Sequence, residues 1–143
     1  MNATQELLNY VYQNSEMGAI SIDRLSDYSK DEKFLRSLRD QKREYLSVNA
    51  ASRDALARTG CDEKGLGTLS KIKTYLMIDA QSITDSSTEH LAEMMVIGST
   101  MGIIDAKKNL RRYENEELGE AKQLMNTLCD LEERNVENMK RFL

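Results

Sequence analysis

The chain has 143 residues and a formal net charge of −4, contains no proline or tryptophan, and is 31% charged. This length is enough to bury the core of one domain, and abundant helix formers without proline predict long helices that lack sharp breaks. The acidic balance argues against nucleic acid as the main partner, because that binding requires lysine and arginine to neutralise phosphates.

Apolar residues that recur every three or four positions predict five helices and no strand. In chain order we expect α1 at residues 4–28, α2 at 31–58, a shorter α3 at 68–83, α4 at 87–113 and α5 at 116–142. Capping residues, glycines and acidic residues mark the breaks between these segments.

Each helix carries an apolar stripe, which we expect to face the core. The stripe of α1 is Leu7, Val11, Gly18, Leu25 and Tyr28. That of α2 is Leu35, Leu38, Tyr45, Val48, Ser52 and Leu56. That of α5 is Leu118, Ala121, Leu124, Leu128, Leu131, Asn135 and Phe142. The stripe of α3 is Leu69, Ile72, Leu76 and Ile83, and that of α4 is Leu91, Met94, Ile97, Met101 and Ile104.

The lengths of the connections predict how the helices are arranged. Short turns join α1 to α2 and α4 to α5, so each pair is expected to form an antiparallel hairpin. Residues 59–86 are long enough, with α3, to run the length of the bundle before α4 begins. We therefore expect a single domain, residues 1–143, with an all-α, ferritin-like up-down-down-up four-helix bundle and a short crossover helix.

Three segments carry a family resemblance: DEKFLRSLRDQKREYLSVNAASRDALARTG (31–60), GTLSKIKTYL (67–76) and LAEMMVIGSTMGIIDAKKNL (91–110). They are similar to the second helix, the crossover helix and the third helix of the small bacterial ferritin-like domains of unknown function, a rubrerythrin-related group. The resemblance covers nearly the whole chain. It consists of patterns rather than signatures, so it implies a fold more strongly than a function.

The wider ferritin-like family binds two irons with a Glu from each of two helices and a Glu-x-x-His from each of the other two. The resemblance places Glu16 on α1, Glu44 on α2, Ser99 on α4 and Glu132 on α5 at the corresponding positions. At the helical rise per residue, these positions lie within roughly 6 Å of one another along the bundle axis. The level of the family's metal site is therefore recognisable in this chain.

The histidines of that motif are missing. Asn135 follows Glu132 by three residues in DLEERNVENM (130–139), and Ser47 follows Glu44 by three. The single histidine, His90, lies near the start of α4, roughly a dozen Å from this level. Because imidazoles complete the coordination shells that carboxylates bridge, the two losses argue against a retained di-iron oxidase.

Three interpretations of Glu16, Glu44 and Glu132 are open. They can be solvated or ion-paired, since carboxylates are seldom buried unless they are paired. They can form a carboxylate-only site for iron or manganese, or line a polar pocket for a small ligand. The cations within reach in the sequence are Lys42, Arg43 and Arg134.

Other residues on the predicted inward faces have structural interpretations. Buried polar side chains more often fix the register of helices than perform chemistry. Gly98 and Gly102 are expected to allow the close approach of a neighbouring backbone. The polar residues at inward positions are Asn14, Asn49, Asp105 and Asn135, and the methionines expected to fill the core are Met94, Met95, Met101, Met125 and Met139.

The remaining signals concern compartment and partners. Cys61 and Cys129 form no disulfide framework, and the first residues lack a basic segment followed by an apolar one. The most apolar stretch, residues 91–104, is too short to span a bilayer. We expect a cytoplasmic protein without a membrane or nucleic-acid partner, and we interpret the basic run at 107–113 as complementing a helix dipole.

No nucleophile with a paired base, Gly-x-Ser-x-Gly turn or phosphate-binding loop in the sequence supports catalysis. The first hypothesis is a non-catalytic interaction or structural module with degenerate di-iron motifs, which forms a homo-oligomer or binds a protein partner and needs no cofactor. The alternative is a bundle that binds iron or manganese, or acts as an oxidoreductase, through Glu16, Glu44 and Glu132. A third possibility is a small ligand between the helices.

Overall fold

The computed structural model describes residues 1–65 and 67–143, and within them it contains five α-helices and no strand. The helices are α1 (Ala3–Ser26), α2 (Glu32–Arg58), α3 (Thr68–Thr84), α4 (Thr88–Arg112) and α5 (Glu120–Lys140). The all-α prediction is confirmed. None of these helices combines the length and the apolarity needed to cross a membrane.

Local sequence explains where most helices begin. Asn2 caps α1 and exchanges hydrogen bonds with Gln5, while the Asp31 side chain accepts from two backbone amides at the start of α2. Ser87 accepts a hydrogen bond from the His90 amide at the start of α4. The predicted start of α5 at residue 116 is wrong by four positions, because Gly119 adopts a positive φ of 48° that ends the preceding turn before the helix begins.

The helices pack around α1 and α5. The helix α1 contacts α2, α5, α3 and, less extensively, α4, whereas α5 contacts α4, α2 and α1. The core between them includes Leu7, Leu8, Val11, Ile22, Leu25, Phe34, Leu38, Leu56, Leu91, Met125, Leu128, Leu131 and Met139. The predicted stripes of α1, α2 and α5 supply part of this core, while Leu8, Ile22 and Phe34 are buried outside them.

The helix α3 is held against α1 by a polar cluster. The Arg24 guanidinium donates hydrogen bonds to both Asp79 carboxylate oxygens, at 2.7 and 2.5 Å, and the Tyr28 hydroxyl donates to the same carboxylate at 2.7 Å. Ile78 is buried beside them. Polar contacts thus orient a helix whose apolar contact with the core is small.

The predicted inward stripes of α3 and α4 are wrong over most of their length. Ile72, Leu76 and Ile83 of α3 are exposed, and the Leu69 side chain lies outside the described part of the chain. In α4, Leu91 is buried as predicted, but Ile97, Met101 and Ile104 are exposed. The residues that α4 buries are Leu91, Ala92, Met95, Ser99 and Ala106.

Because α4 buries a different face from the predicted one, two further predictions for this helix are also wrong. Met101 does not fill the core, and Asp105 is exposed rather than inward. Asn49 matches its predicted role better, since its amide donates to the Tyr12 carbonyl at 3.0 Å and to Ser15 Oγ at 3.1 Å, which fixes α2 against α1. Periodicity alone could not select the buried face of α4, because that helix is apolar on two sides.

Candidate functional site

The most unusual polar contact in the described structure joins α2 to α5 inside the core. Glu132 of α5 is only 5% exposed, and the Tyr45 hydroxyl donates a 3.1 Å hydrogen bond to its Oε2 atom. No lysine, arginine or histidine among the described residues forms an ion pair with this carboxylate. A buried carboxyl group without a cation is costly when ionised, so this pair is the first candidate for a functional centre.

Two glycines make room for the pair. A Cβ atom at Gly18 of α1 would lie 2.5 Å from the Tyr45 ring, and a Cβ atom at Gly102 of α4 would lie 2.5 Å from both Glu132 carboxylate oxygens. A close neighbour does lie at Gly102, but it is the Glu132 side chain rather than the backbone that we expected. At Gly98 nothing lies within 4 Å of the position of a Cβ atom.

Further polar groups surround the carboxylate. Ser99 and Asn135 are 4% and 1% exposed, and both lie near enough to the Tyr45 hydroxyl to lower its pKa slightly against larger opposing effects. Among the described residues, the Asn135 Nδ2 atom and the Tyr10 hydroxyl have no hydrogen-bond partner. The predicted inward position of Asn135 is confirmed.

Burial controls the protonation of this centre. It raises the pKa of Glu132 from 4.5 to about 7; the Tyr45 hydrogen bond opposes that rise, and the negative charge of Asp105 adds to it. Burial also raises the pKa of Tyr45 far above its ordinary value, and the Glu132 charge contributes in the same direction. The centre can therefore bind or release one proton near neutral pH, at Glu132.

The second predicted ligand, Glu16, lies at the interface of α1 and α3. Its Oε1 atom forms a 2.9 Å ion pair with Lys71, and a Cβ atom at Gly65 would lie 3.2 Å from its other carboxylate oxygen. The hydrogen bond with Glu16 raises the pKa of Lys71. Glu16 thus contributes to the attachment of α3.

The third predicted ligand, Glu44, faces outward. Its carboxylate is 45% exposed and lies 3.4 Å from the Arg134 guanidinium, one of the cations expected to be within reach. The two other candidate cations have different partners, Asp23 for Lys42 and Asp40 for Arg43. Surface ion pairs such as the one between Glu44 and Arg134 contribute little to stability.

The structure does not bring the predicted ligands together. In residues 1–65 and 67–143, no group of three or more Asp, Glu, His or Cys side chains is placed to hold a metal ion. The residues present do not fit the di-iron centre that the resemblance implies, since Asn135 and Ser47 stand where it would require histidines and the three glutamates have separate partners. The carboxylate-only metal site stays a prediction that this geometry does not favour.

Sequence reasoning missed Tyr45 as a functional residue. Tyr45 had been identified only as part of the apolar stripe of α2, where its phenol counts as a hydrophobic side chain. The available signal was Gly18, a glycine inside the stripe of α1 that an aromatic ring on α2 could cover. Adjacent residues on a helix point about 100° apart, so Tyr45 and Glu44 cannot both enter the core, and Glu44 instead reaches Arg134 at the surface of α5.

A shallow surface depression lies close to this centre. It has a volume of about 260 Å³, and Tyr10, Asn109 and Tyr113 are among the residues that line it. Asp105 and Glu132 add to the effect of burial in raising the pKa of Tyr10. Tyr10 therefore lies between the surface and the charged part of the core, but its hydroxyl is not itself exposed.

Comparison with family models, with curated proteins and with solved structures gives no match to this chain. The ferritin-like resemblance thus depends on the sequence segments and the helices described above. Any assignment of function must follow from the residues of the Tyr45–Glu132 centre and from the surface of the molecule.

Proposed function

We propose that the chain is a non-catalytic helical module that acts through protein contacts and is built on a ferritin-like four-helix bundle. In this arrangement α1, α2, α4 and α5 form the up-down-down-up bundle, and α3 is the crossover helix. The short connections from α1 to α2 and from α4 to α5 support it, as does the packing of α3 along α1.

The observation that carries the proposal is that each candidate ligand already has a protein partner. Glu16 pairs with Lys71, Glu44 pairs with Arg134, and Glu132 accepts a hydrogen bond from Tyr45. Binding one metal through all three glutamates would require two ion pairs to break and an exposed carboxylate to turn inward. The centre at Glu132 is better suited to a proton than to a metal.

Metal analysis tests this proposal. Purified protein is incubated with Fe²⁺ or Mn²⁺ under anaerobic conditions, dialysed, and its metal content measured against a Glu132→Gln control. We expect both proteins to retain the same small, substoichiometric amount of metal. Stoichiometric metal that survives dialysis in the wild type and is lost in Glu132→Gln would contradict the proposal and support the carboxylate-only alternative.

A protein-contact role is also supported by the surface. Several large apolar side chains are exposed on α3 and α4, among them Leu76, Ile83, Ile97 and Met101. Isolated exposed apolar residues are common, whereas grouped ones mark interaction surfaces. Their concentration on α3 and α4 indicates where a partner would bind.

A further inference from the structure

The helix α4 has a second apolar face that nothing in the described structure covers. Ile97, Met101 and Ile104 are 54%, 62% and 48% exposed; we call these three residues the α4 seam. At about 100° per residue, the seam points away from the side that buries Ala92, Ser99 and Ala106. A helix that is apolar on opposite sides normally has packing partners on both.

The spacing of the seam fits another helix. Ile97, Met101 and Ile104 are separated by four and then three residues, and Met94 extends the same pattern by one step toward the start of α4. Alternating steps of three and four place side chains in the a and d positions of a heptad, where they pack into the spaces between the side chains of a facing helix. An extended strand would not match this period.

Gly98 is an independent sign of a close neighbour. It lies in the middle of α4, beside the seam, although glycine is unfavourable inside a helix. Gly102 is explained within the chain by its contact with Glu132, but no atom lies within 4 Å of a Cβ atom built at Gly98. A glycine at a helix surface allows a second helix backbone to approach closely.

The charges beside the seam select a second copy in the antiparallel direction. Glu93 lies near the start of α4, and Lys107 and Lys108 lie near its end; all three are exposed, and Lys107 also forms a 3.3 Å surface ion pair with Glu133 of its own chain. An antiparallel copy of α4 would place each Glu93 near the lysines of the other chain, whereas a parallel copy would place like charges together. The helix dipole explains why an acid lies near the start of α4 and lysines near its end, but it explains neither the apolar seam nor Gly98.

We infer that the α4 seam packs against the α4 seam of a second copy of this chain, antiparallel, and forms a two-fold symmetric dimer. Ile97 of each copy then faces Met101 of the other, and the two Gly98 backbones lie near the symmetry axis. This inference deepens the proposed function, on which it rests, by naming the partner and the surface that the module uses.

Sedimentation equilibrium over a wide range of protein concentration tests the dimer. Met101→Lys should weaken dimerisation by at least about tenfold, because it places a charge at the centre of the apolar contact. The matched control is Leu46→Lys on α2, since Leu46 is as exposed as Ile104, at 48%. Circular dichroism establishes that both variants are folded, as expected for exposed positions.

A wild-type protein that stays monomeric at the highest concentration would overturn the inference. So would equal weakening by Leu46→Lys and Met101→Lys. Neither result would affect the metal analysis, so a metal-free monomer would refute the α4 dimer while leaving the non-catalytic proposal in place. A dimer with stoichiometric metal would support the α4 dimer and contradict the non-catalytic proposal.

Disulfide trapping tests the orientation. Ile97→Cys and Met101→Cys are made separately in a Cys61→Ser background, where the remaining Cys129 is buried. A mixture of the two variants should form the mixed disulfide faster than either variant alone forms its own. Faster self-linking of Met101→Cys would indicate parallel helices and overturn the antiparallel arrangement.

Discussion

The Tyr45 hydroxyl donates a 3.1 Å hydrogen bond to the buried carboxylate of Glu132. This pair touches all four long helices: Gly18 of α1 lies against the Tyr45 ring, and Gly102 of α4 lies against the Glu132 carboxylate. A single polar contact therefore sits where the four helices come together.

The contribution of Glu132 to the stability of the protein should fall as the pH rises toward neutrality. The folded protein holds the Glu132 proton more tightly than the unfolded chain does, with a pKa of about 7 against 4.5. The contribution of Glu132 to stability is therefore complete below the lower value and is lost as the pH rises through the higher one, by about 3 kcal/mol in total.

Urea unfolding at pH 5 and pH 8 measures this effect. Because other groups also titrate, the informative quantity is the difference in unfolding free energy between the wild type and Glu132→Gln. From pH 5 to pH 8 we expect the unfolding free energy of Glu132→Gln to rise relative to that of the wild type. The groups that shift the pKa of Glu132 are the Tyr45 hydroxyl of α2 and the Asp105 carboxylate of α4, and Glu132 in turn raises the pKa of Tyr10 of α1. A difference in unfolding free energy that is the same at both pH values would contradict the raised pKa of Glu132.

Tyr45→Phe should destabilise the protein more at pH 8 than at pH 5. Hydrogen bonds to charged groups contribute about 1.5–3 kcal/mol and those between neutral groups about 0.5–1.5 kcal/mol. At pH 8 the lost bond is to an ionised Glu132, and at pH 5 it is to a neutral carboxyl group. The same substitution in a Glu132→Gln background serves as the control, and its cost should not depend on pH.

Two glycines of α4 should respond to alanine in opposite ways. Gly102→Ala should lower the unfolding free energy by about 1–3 kcal/mol, because the new methyl group would meet the Glu132 carboxylate. Gly98→Ala should raise it by up to about 1 kcal/mol through better helix propensity, when measured at concentrations where the protein is monomeric. Stabilisation by both variants would contradict the contact between Glu132 and Gly102, and destabilisation by both would contradict the open space beside Gly98.

Asp79→Asn should loosen α3 without unfolding the bundle. Asp79 accepts hydrogen bonds from both Arg24 and Tyr28, and the bond from Arg24 lowers its pKa most. Its contribution is present above the ordinary aspartate pKa and is lost as the pH falls through the lowered value. Hydrogen exchange should become faster in residues 68–84 and remain unchanged in α5; equal acceleration in both would contradict this attachment.

Much of the helical architecture follows from the sequence because apolar spacing and capping residues act locally. Leu7, Val11 and Leu25 of α1 are buried as the spacing predicts. The orientation of α4 could not be predicted in this way, since Met101 and Met95 both belong to apolar faces and only packing against α5 decides between them. The face of α4 that carries the small residues Ala92, Ser99 and Ala106 is the buried one, because small side chains allow close contact between helices.

The candidate site was predictable in position but not in composition. Glu132 and Asn135 lie at the expected inward positions of α5. On α2, however, the residue that faces the core at this level is Tyr45, which belongs to the predicted apolar stripe, while the adjacent Glu44 lies at the surface with Arg134. Axial depth can be counted from a sequence, whereas the rotation of a helix about its own axis depends on its neighbours.

Thermal unfolding at pH 8, with and without Mn²⁺, tests most directly whether the core centre holds a proton rather than a metal. We expect Mn²⁺ to leave the melting temperatures of the wild type and Glu132→Gln unchanged, because no described cluster of ligands surrounds Glu132. An increase in the melting temperature of the wild type with Mn²⁺, absent in Glu132→Gln, would contradict this expectation.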